Sequence, residues 1–192
     1  MGYYYYLGAQ LPYLIYGHNP PMSSGAFKAL AAEQMGSAHA ALLDCCTLDP
    51  DPETPEDSGA TYAEEALPTA SKLINHWKEW ERTLRLNLAK NRALKLKRDA
   101  GAPVEAPGVP ADAVLAAKNA MSIESPLEAE LFLGKARWDA IESFQGINVF
   151  CETAMYAYLL KLLLMERRAA FKSEEGFTEY KGLYAAILGE PK

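Results

Sequence analysis

Along this chain apolar residues recur at spacings of three and four far more often than they alternate, and that rhythm predicts helices almost throughout. The clearest case runs from Ser125 to Phe171. Ser125 stands where an N-cap belongs, Pro126 sits in the first turn where its missing N–H costs nothing, and Glu128 follows three residues after the cap, completing a capping box. Leu127, Leu131, Gly134, Trp138, Ile141 and Gln145 then share one face, with Glu130, Lys135, Asp139 and Glu142 off it, so one side of the helix is expected to be core. Gly146 marks a turn, and a second helix is expected from about Val149. Between Ala154 and Met165 its one charged residue is Lys161, so this helix should be buried on several sides. The run ends at Glu166, Arg167 and Arg168, short of the roughly 20 apolar residues that a membrane span requires. Lys161 has two readings: its ammonium snorkels to the rim, or it pairs with a buried carboxylate such as Glu128 or Glu152.

The same periodicity organises the rest. A long helix is expected from about Pro68 toward Arg98, with Leu73, Ile74, Trp77, Trp80, Leu84 and Leu88 as its apolar stripe. Ser23 or Ser24 caps a short helix carrying Phe27, Leu30 and Ala31, and Ser37 opens another carrying Leu42, Leu43 and Cys46. Asp112 is expected to cap an alanine-rich helix, and Ser173 a last one through Phe177, Tyr180, Tyr184 and Ile187, stopped by Gly189. Proline-rich stretches near 49–60 and 99–111 read as loops. The tyrosine-rich start, Tyr3 to Tyr6 and then LPYLIYG, is ambiguous: a short helix broken near Pro12, or an extended arm on the core. The expected fold is therefore all-α, a multi-helix bundle around a central long antiparallel helix pair with an irregular N-terminal arm, and one domain over 1–192. Its expected core includes Trp77, Trp80, Leu131, Trp138, Ile141, Phe150, Tyr158, Leu160 and Leu164.

Composition adds bounds. A chain of 192 residues with 49% hydrophobic residues can fill one core. A net charge of −6 argues against a surface that is basic all over, and suggests a cytoplasmic protein. The start lacks a basic stretch followed by an apolar one, so no signal peptide is expected, and Tyr6 stands where a myristoylation signal wants Ser or Thr. Cys45, Cys46 and Cys151 include no C-x-x-C pair, which predicts free thiols rather than a disulfide framework or zinc ribbon.

Charge is segregated. Arg82, Arg85, Lys90, Arg92, Lys95, Lys97 and Arg98 occur without an acidic residue until Asp99. Three readings compete: a solvated face helped by the helix dipole, a docking surface for an acidic protein partner, and a phosphate-backbone contact, the last disfavoured because no aromatics interleave to stack bases. Candidate chemistry is sparse. The acidic run DPDPETPEDSG has Thr54 and Ala60 where a calcium loop needs Gly and Glu, so it reads as a solvated loop with no metal. His18, His39 and His76 are far apart, no Glu-x-x-His pair exists, and no nucleophile or phosphate-binding motif is present. A Cys45 or Cys151 nucleophile with His39 or His76 is the weaker alternative to inert structural thiols. A tyrosine cage for a ligand cation is likewise weaker than plain aromatic packing. No catalytic residue and no cofactor is expected.

YYYLGAQLPYL at the start, LRLNLAKNRALKLKRDA, and above all SPLEAELFLGKARWDAIE followed by the Ala-Met-x-Ala-Tyr-Leu-Leu-Lys-Leu segment and Glu166-Arg167 resemble the DUF2764 family of uncharacterised bacterial proteins. That resemblance covers nearly the whole chain. Members tend to be encoded among the genes of V-type ATPases, and are similar in helical character and tyrosine-rich start to the stalk subunit that couples rotor to membrane ring. The resemblance implies a non-catalytic accessory, assembly or stalk role in a V-type ion-transporting ATPase, with other ATPase subunits as partners, no nucleic acid, no membrane insertion of its own and a location peripheral to the membrane. It supplies no catalytic residues. The alternatives are a helical small-molecule-binding protein or enzyme of unknown reaction, and a nucleic-acid binder using 82–98.

Overall fold

Residues whose apolar positions recur at helical spacing do form helices, and their ends are set by local chemistry. The computed structural model describes residues 3–49, 69–96 and 106–171. Outside these lie most of the acidic loop, Lys97, Arg98, the first part of the 99–111 loop and the expected helix after Ser173. Among the described residues there are seven α-helices and one 3₁₀ turn: α1 Tyr5–Gln10, α2 Ser24–Gln34, α3 Ser37–Ala41, the 3₁₀ turn Leu42–Cys45, α4 Lys72–Lys95, α5 Ala111–Ala120, α6 Pro126–Gln145 and α7 Glu152–Ala169. The fold is all-α. One isolated bridge joins Tyr3 to Cys151, so the tyrosine arm is extended for its first residues and helical after them.

Caps explain several boundaries. Ser23 Oγ accepts from the Ala26 N–H at 3.1 Å, and Glu166 of α7 adds a carboxylate that accepts from the Ser24 N–H at 2.6 Å, a favourable placement at the positive end of α2. Ser125 Oγ accepts from the Glu128 N–H at 3.4 Å to start α6, and Gly146, at φ 72°, ends it in a conformation open chiefly to glycine. One expected cap is corrected. Pro110, not Asp112, precedes α5, and Asp112 instead accepts from Trp80 Nε1 at 2.8 Å, a buried indole donor that needs a partner. Ser37 opens α3 as expected, but that helix stops at Ala41, and Leu42 and Leu43 follow in the 3₁₀ turn.

The chain reverses at Gly146, and α6 and α7 run antiparallel, as Arg167 reaching Glu130 and Lys161 reaching Glu142 show. α7 begins three residues later than expected, because residues 147–150 form the connection, with Asn148 Oδ1 accepting from the Phe150 N–H at 3.0 Å. Nine of its residues are buried, Tyr156, Leu159, Leu160 and Leu162 completely. α4 crosses the pair with Leu73, Ile74, Trp77, Trp80, Leu84 and Leu88 all buried, and the Trp77 and Trp80 rings stack 6.0 Å apart. Large side chains of this kind stabilise by roughly 1.5–3 kcal/mol each. α5 lies against α4 and α6 through Ala113, Ala116, Ala117 and Ala120, small residues that allow close approach.

The expected core is corrected at three places. Trp77, Trp80, Trp138, Ile141, Leu160 and Leu164 are buried, whereas Leu131, Phe150 and Tyr158 are half-buried. On α6 the inner face consists of Leu133, Arg137, Trp138, Ala140 and Ile141, and Leu127 is exposed. The inward stripe is rotated because Arg137 points into the core, where a carboxylate on α4 receives it. At Gly134 a Cβ would stand 2.8 Å from Tyr16 Oη, which donates to Leu131 O, so glycine here admits the returning arm.

Candidate functional site

Three places gather polar chemistry. The first is a chain of charges through the core. Arg137 donates from Nε and Nη2 to Glu81 Oε2 and Oε1, both at 2.9 Å, with Glu81 0% and Arg137 5% exposed. Arg85 Nε also reaches Glu81 Oε1 at 2.9 Å and, through Nη2, Asp49 at 2.6 Å, while Glu130 and Arg167 continue the series beyond Arg137. Burial works to lower the Arg85 pKa, but the bonds and charges of Glu81 and Asp49 outweigh it and raise it. This chain joins α4, α6 and α7 and the first residue of the acidic loop, and its geometry is that of a structural clamp.

The second place is the basic helix. Arg82 and Arg85 lie on the packed part of α4, half-buried, with Arg85 committed to the clamp. Lys90, Arg92 and Lys95 lie at the far end, where the helix leaves the core and Leu94 (69%) and Leu96 (64%) are exposed; all three cations are exposed. Lys97 and Arg98 belong to the same run and lie outside the described residues. The structure thus divides the five described cations: the helical spacing alone could not separate those packed against the core from those facing solvent.

The third place is a cavity of about 230 Å³ between the N-terminal arm, the end of α6 and the middle of α7. Leu11, Pro12, Val149 and Met155 supply apolar wall, and Glu142, Gln145 and Lys161 stand together at one side. Lys161 Nζ donates to Gln145 Oε1 at 3.1 Å and to Glu142 Oε1 at 3.3 Å, and lies 5.1 Å from the centre of the Trp138 ring. Trp138 Nε1 donates to the same Glu142 oxygen at 3.0 Å. Burial lowers the Lys161 pKa, with the charge of Glu142 and its hydrogen bond opposing that shift. The partner is neither Glu128 nor Glu152. A tight hairpin sets the first turns of α7 against the last turns of α6, where Glu142 shares the Trp138 face, and that signal was available in the sequence.

Several of the remaining candidates make contacts of their own. The Tyr4 hydroxyl and His39 Nδ1 share a hydrogen bond, and Tyr156 Oη donates to His39 O at 3.1 Å, so His39 ties the arm to α7. His76 packs on Phe144 with ring centres 5.8 Å apart. The Cys151 thiol donates to Asn148 O at 3.1 Å, and burial first, then the neighbouring Cys45, push the Cys46 thiol up to about 12. A thiol so placed is a poor nucleophile near neutrality. Of the N-terminal tyrosines, Tyr3 and Tyr5 stack with ring centres 5.8 Å apart, and Tyr5 packs at a tilt on Phe150 with ring centres 5.1 Å apart. Among the described residues no helix is long and apolar enough to cross a membrane. Compared with protein-family models, with curated proteins and with solved structures, the chain has no match.

Proposed function

We propose that this protein is a non-catalytic accessory, assembly or stalk subunit of a bacterial V-type ion-transporting ATPase, akin to the one that couples rotor to membrane ring, and that it works through protein–protein contacts. The observation that carries the docking part is the end of α4, where Lys90, Arg92 and Lys95 stand beside the exposed Leu94 and Leu96. Cations interleaved with exposed leucines suit an acidic partner surface with an apolar centre, which supplies steering from the charges and affinity from the leucines. The resemblance of the Ser125–Arg167 block and of the tyrosine-rich start to the DUF2764 family supplies the ATPase as the partner.

The test is affinity purification of the tagged chain from its native cells at moderate salt, comparing wild type with a Lys90→Glu, Arg92→Glu, Lys95→Glu variant. ATPase subunits that co-purify with the wild type and are lost with the variant are the expected result. If mild crosslinking recovers none of them, the proposal is wrong. Binding to nucleic acid that weakens steeply with added salt and needs no protein partner would favour the phosphate-backbone alternative instead.

A further inference from the structure

The cavity beside Lys161 holds chemistry that packing does not require. A lysine placed on an otherwise apolar helix loses hydration that a leucine or methionine would not, and an ion pair in such a position is commonly no more stabilising than apolar residues of similar size. Here the Lys161 side chain is 12% exposed and opens on a cavity of about 230 Å³, and its ammonium is hydrogen-bonded to Glu142 and Gln145 with the Trp138 ring centre 5.1 Å away. We propose that this cavity binds a free amino acid with an apolar side chain, recognised as a zwitterion.

The donor and acceptor inventory leads to that class. An ammonium has three N–H donors, and Lys161 uses one on Glu142 Oε1 and one on Gln145 Oε1, leaving the third for a ligand carboxylate. Glu142 Oε1 accepts from both Lys161 and Trp138, while its side chain is about half exposed and Oε2 takes no part in those bonds, leaving that oxygen for a ligand ammonium. The Lys161–Glu142 pair therefore stays intact on binding. A ligand that is only an anion would meet Glu142 as a repulsive neighbour, and one that is only a cation would meet Lys161, whereas a ligand with both charges is complementary to both. Leu11, Pro12, Val149 and Met155 face the remaining volume and suit an aliphatic or aromatic side chain. An apolar cavity of about 150 Å³ admits benzene, so this one has room for an amino acid the size of leucine, methionine or phenylalanine. The arm that forms one wall is pinned in place, since Tyr158 Oη donates to Pro12 O at 3.0 Å, so little ordering remains for the ligand to impose.

This site uses none of the α4 cations, so its test stands apart from the docking proposal. The full chain is titrated by calorimetry and by thermal shift with L-leucine, L-methionine and L-phenylalanine, and with isocaproate and isoamylamine, which keep the leucine skeleton but carry only one charge each. Saturable one-site binding of at least one amino acid is expected, with each single-charge analogue about tenfold or more weaker, the usual worth of a hydrogen bond to a charged group. Lys161→Met and Glu142→Gln, each checked for native circular dichroism, are expected to weaken binding by about the same factor. Absence of saturable binding to the wild type at millimolar amino acid overturns the proposal. Equal affinity for leucine and its analogues, or wild-type affinity in both folded variants, overturns it as well, and the analogue series decides even if neither variant folds.

Discussion

The clamp between Glu81 and Arg137 makes the sharpest prediction about stability. Replacing Arg137 with methionine removes both 2.9 Å bonds and leaves a fully buried carboxylate on α4. Losing one partner of a buried pair costs about 3–5 kcal/mol, because the remaining charge has neither water nor counterion. Arg85 keeps its own 2.9 Å bond to Glu81, which places the loss at the lower end, about 3 kcal/mol. For a chain of this length that corresponds to a fall of roughly 6–12 °C in Tm. The Glu81→Met, Arg137→Met double variant fills the same space with apolar atoms and is expected within about 1 kcal/mol of wild type, since Arg85 still has Asp49 and Leu48 O. Urea unfolding followed by tryptophan fluorescence reads this directly, because Trp77, Trp80 and Trp138 are all buried in the same core. The refuting result is a double variant that loses as much as the two single variants together, for the two side chains would then be energetically independent.

Other outcomes follow from the same contacts. Gly134→Ala brings a Cβ to 2.8 Å from Tyr16 Oη and should lower stability by about 1–3 kcal/mol, with Gly134→Ala, Tyr16→Phe recovering part of the loss in the same urea assay. Stability should fall as pH rises above 9: Cys46 is pushed by burial from its ordinary 9.0 up to about 12, and burial likewise raises Tyr16, Tyr156 and Tyr158. Each stays protonated in the folded chain after the unfolded chain has ionised, so the folded state is favoured below the unfolded pKa and loses that advantage through the folded one. Lys161, whose pKa is lowered, pulls the other way, and Tm measured between pH 8 and 11 should show the larger group winning; a flat or rising curve would contradict it. Arg92→Glu and Lys95→Glu, at the solvent-facing end of α4, should each cost no more than about 1 kcal/mol in stability, the usual worth of a cation in the last turn of a helix, so a complete loss of partner binding reports on the surface and not on folding.

The sequence by itself determined the helices and much of what they bury. Local periodicity carries that information: the α4 stripe from Leu73 to Leu88, the nearly uncharged Ala154–Met165 run, the Ser125 cap and the Gly146 turn all act within a few residues of themselves, and the structure places them as their spacing implies. What only the tertiary structure decided are the pairings between distant polar residues. Arg137 has the local setting of one more surface cation on α6, yet it is buried because Glu81, 56 residues earlier, is there to receive it. Arg85 and Lys95 are alike in one basic run, yet one is drawn into that clamp and the other faces solvent. Asp112 reads as a cap in the sequence, but it lies in the first turn of α5 and accepts from an indole N–H of α4. For Arg137 and Arg85 the burial of a charge depends on whether a counter-charge arrives from another turn or element, and for Asp112 the bond depends on a donor from α4; these are properties of how helices dock.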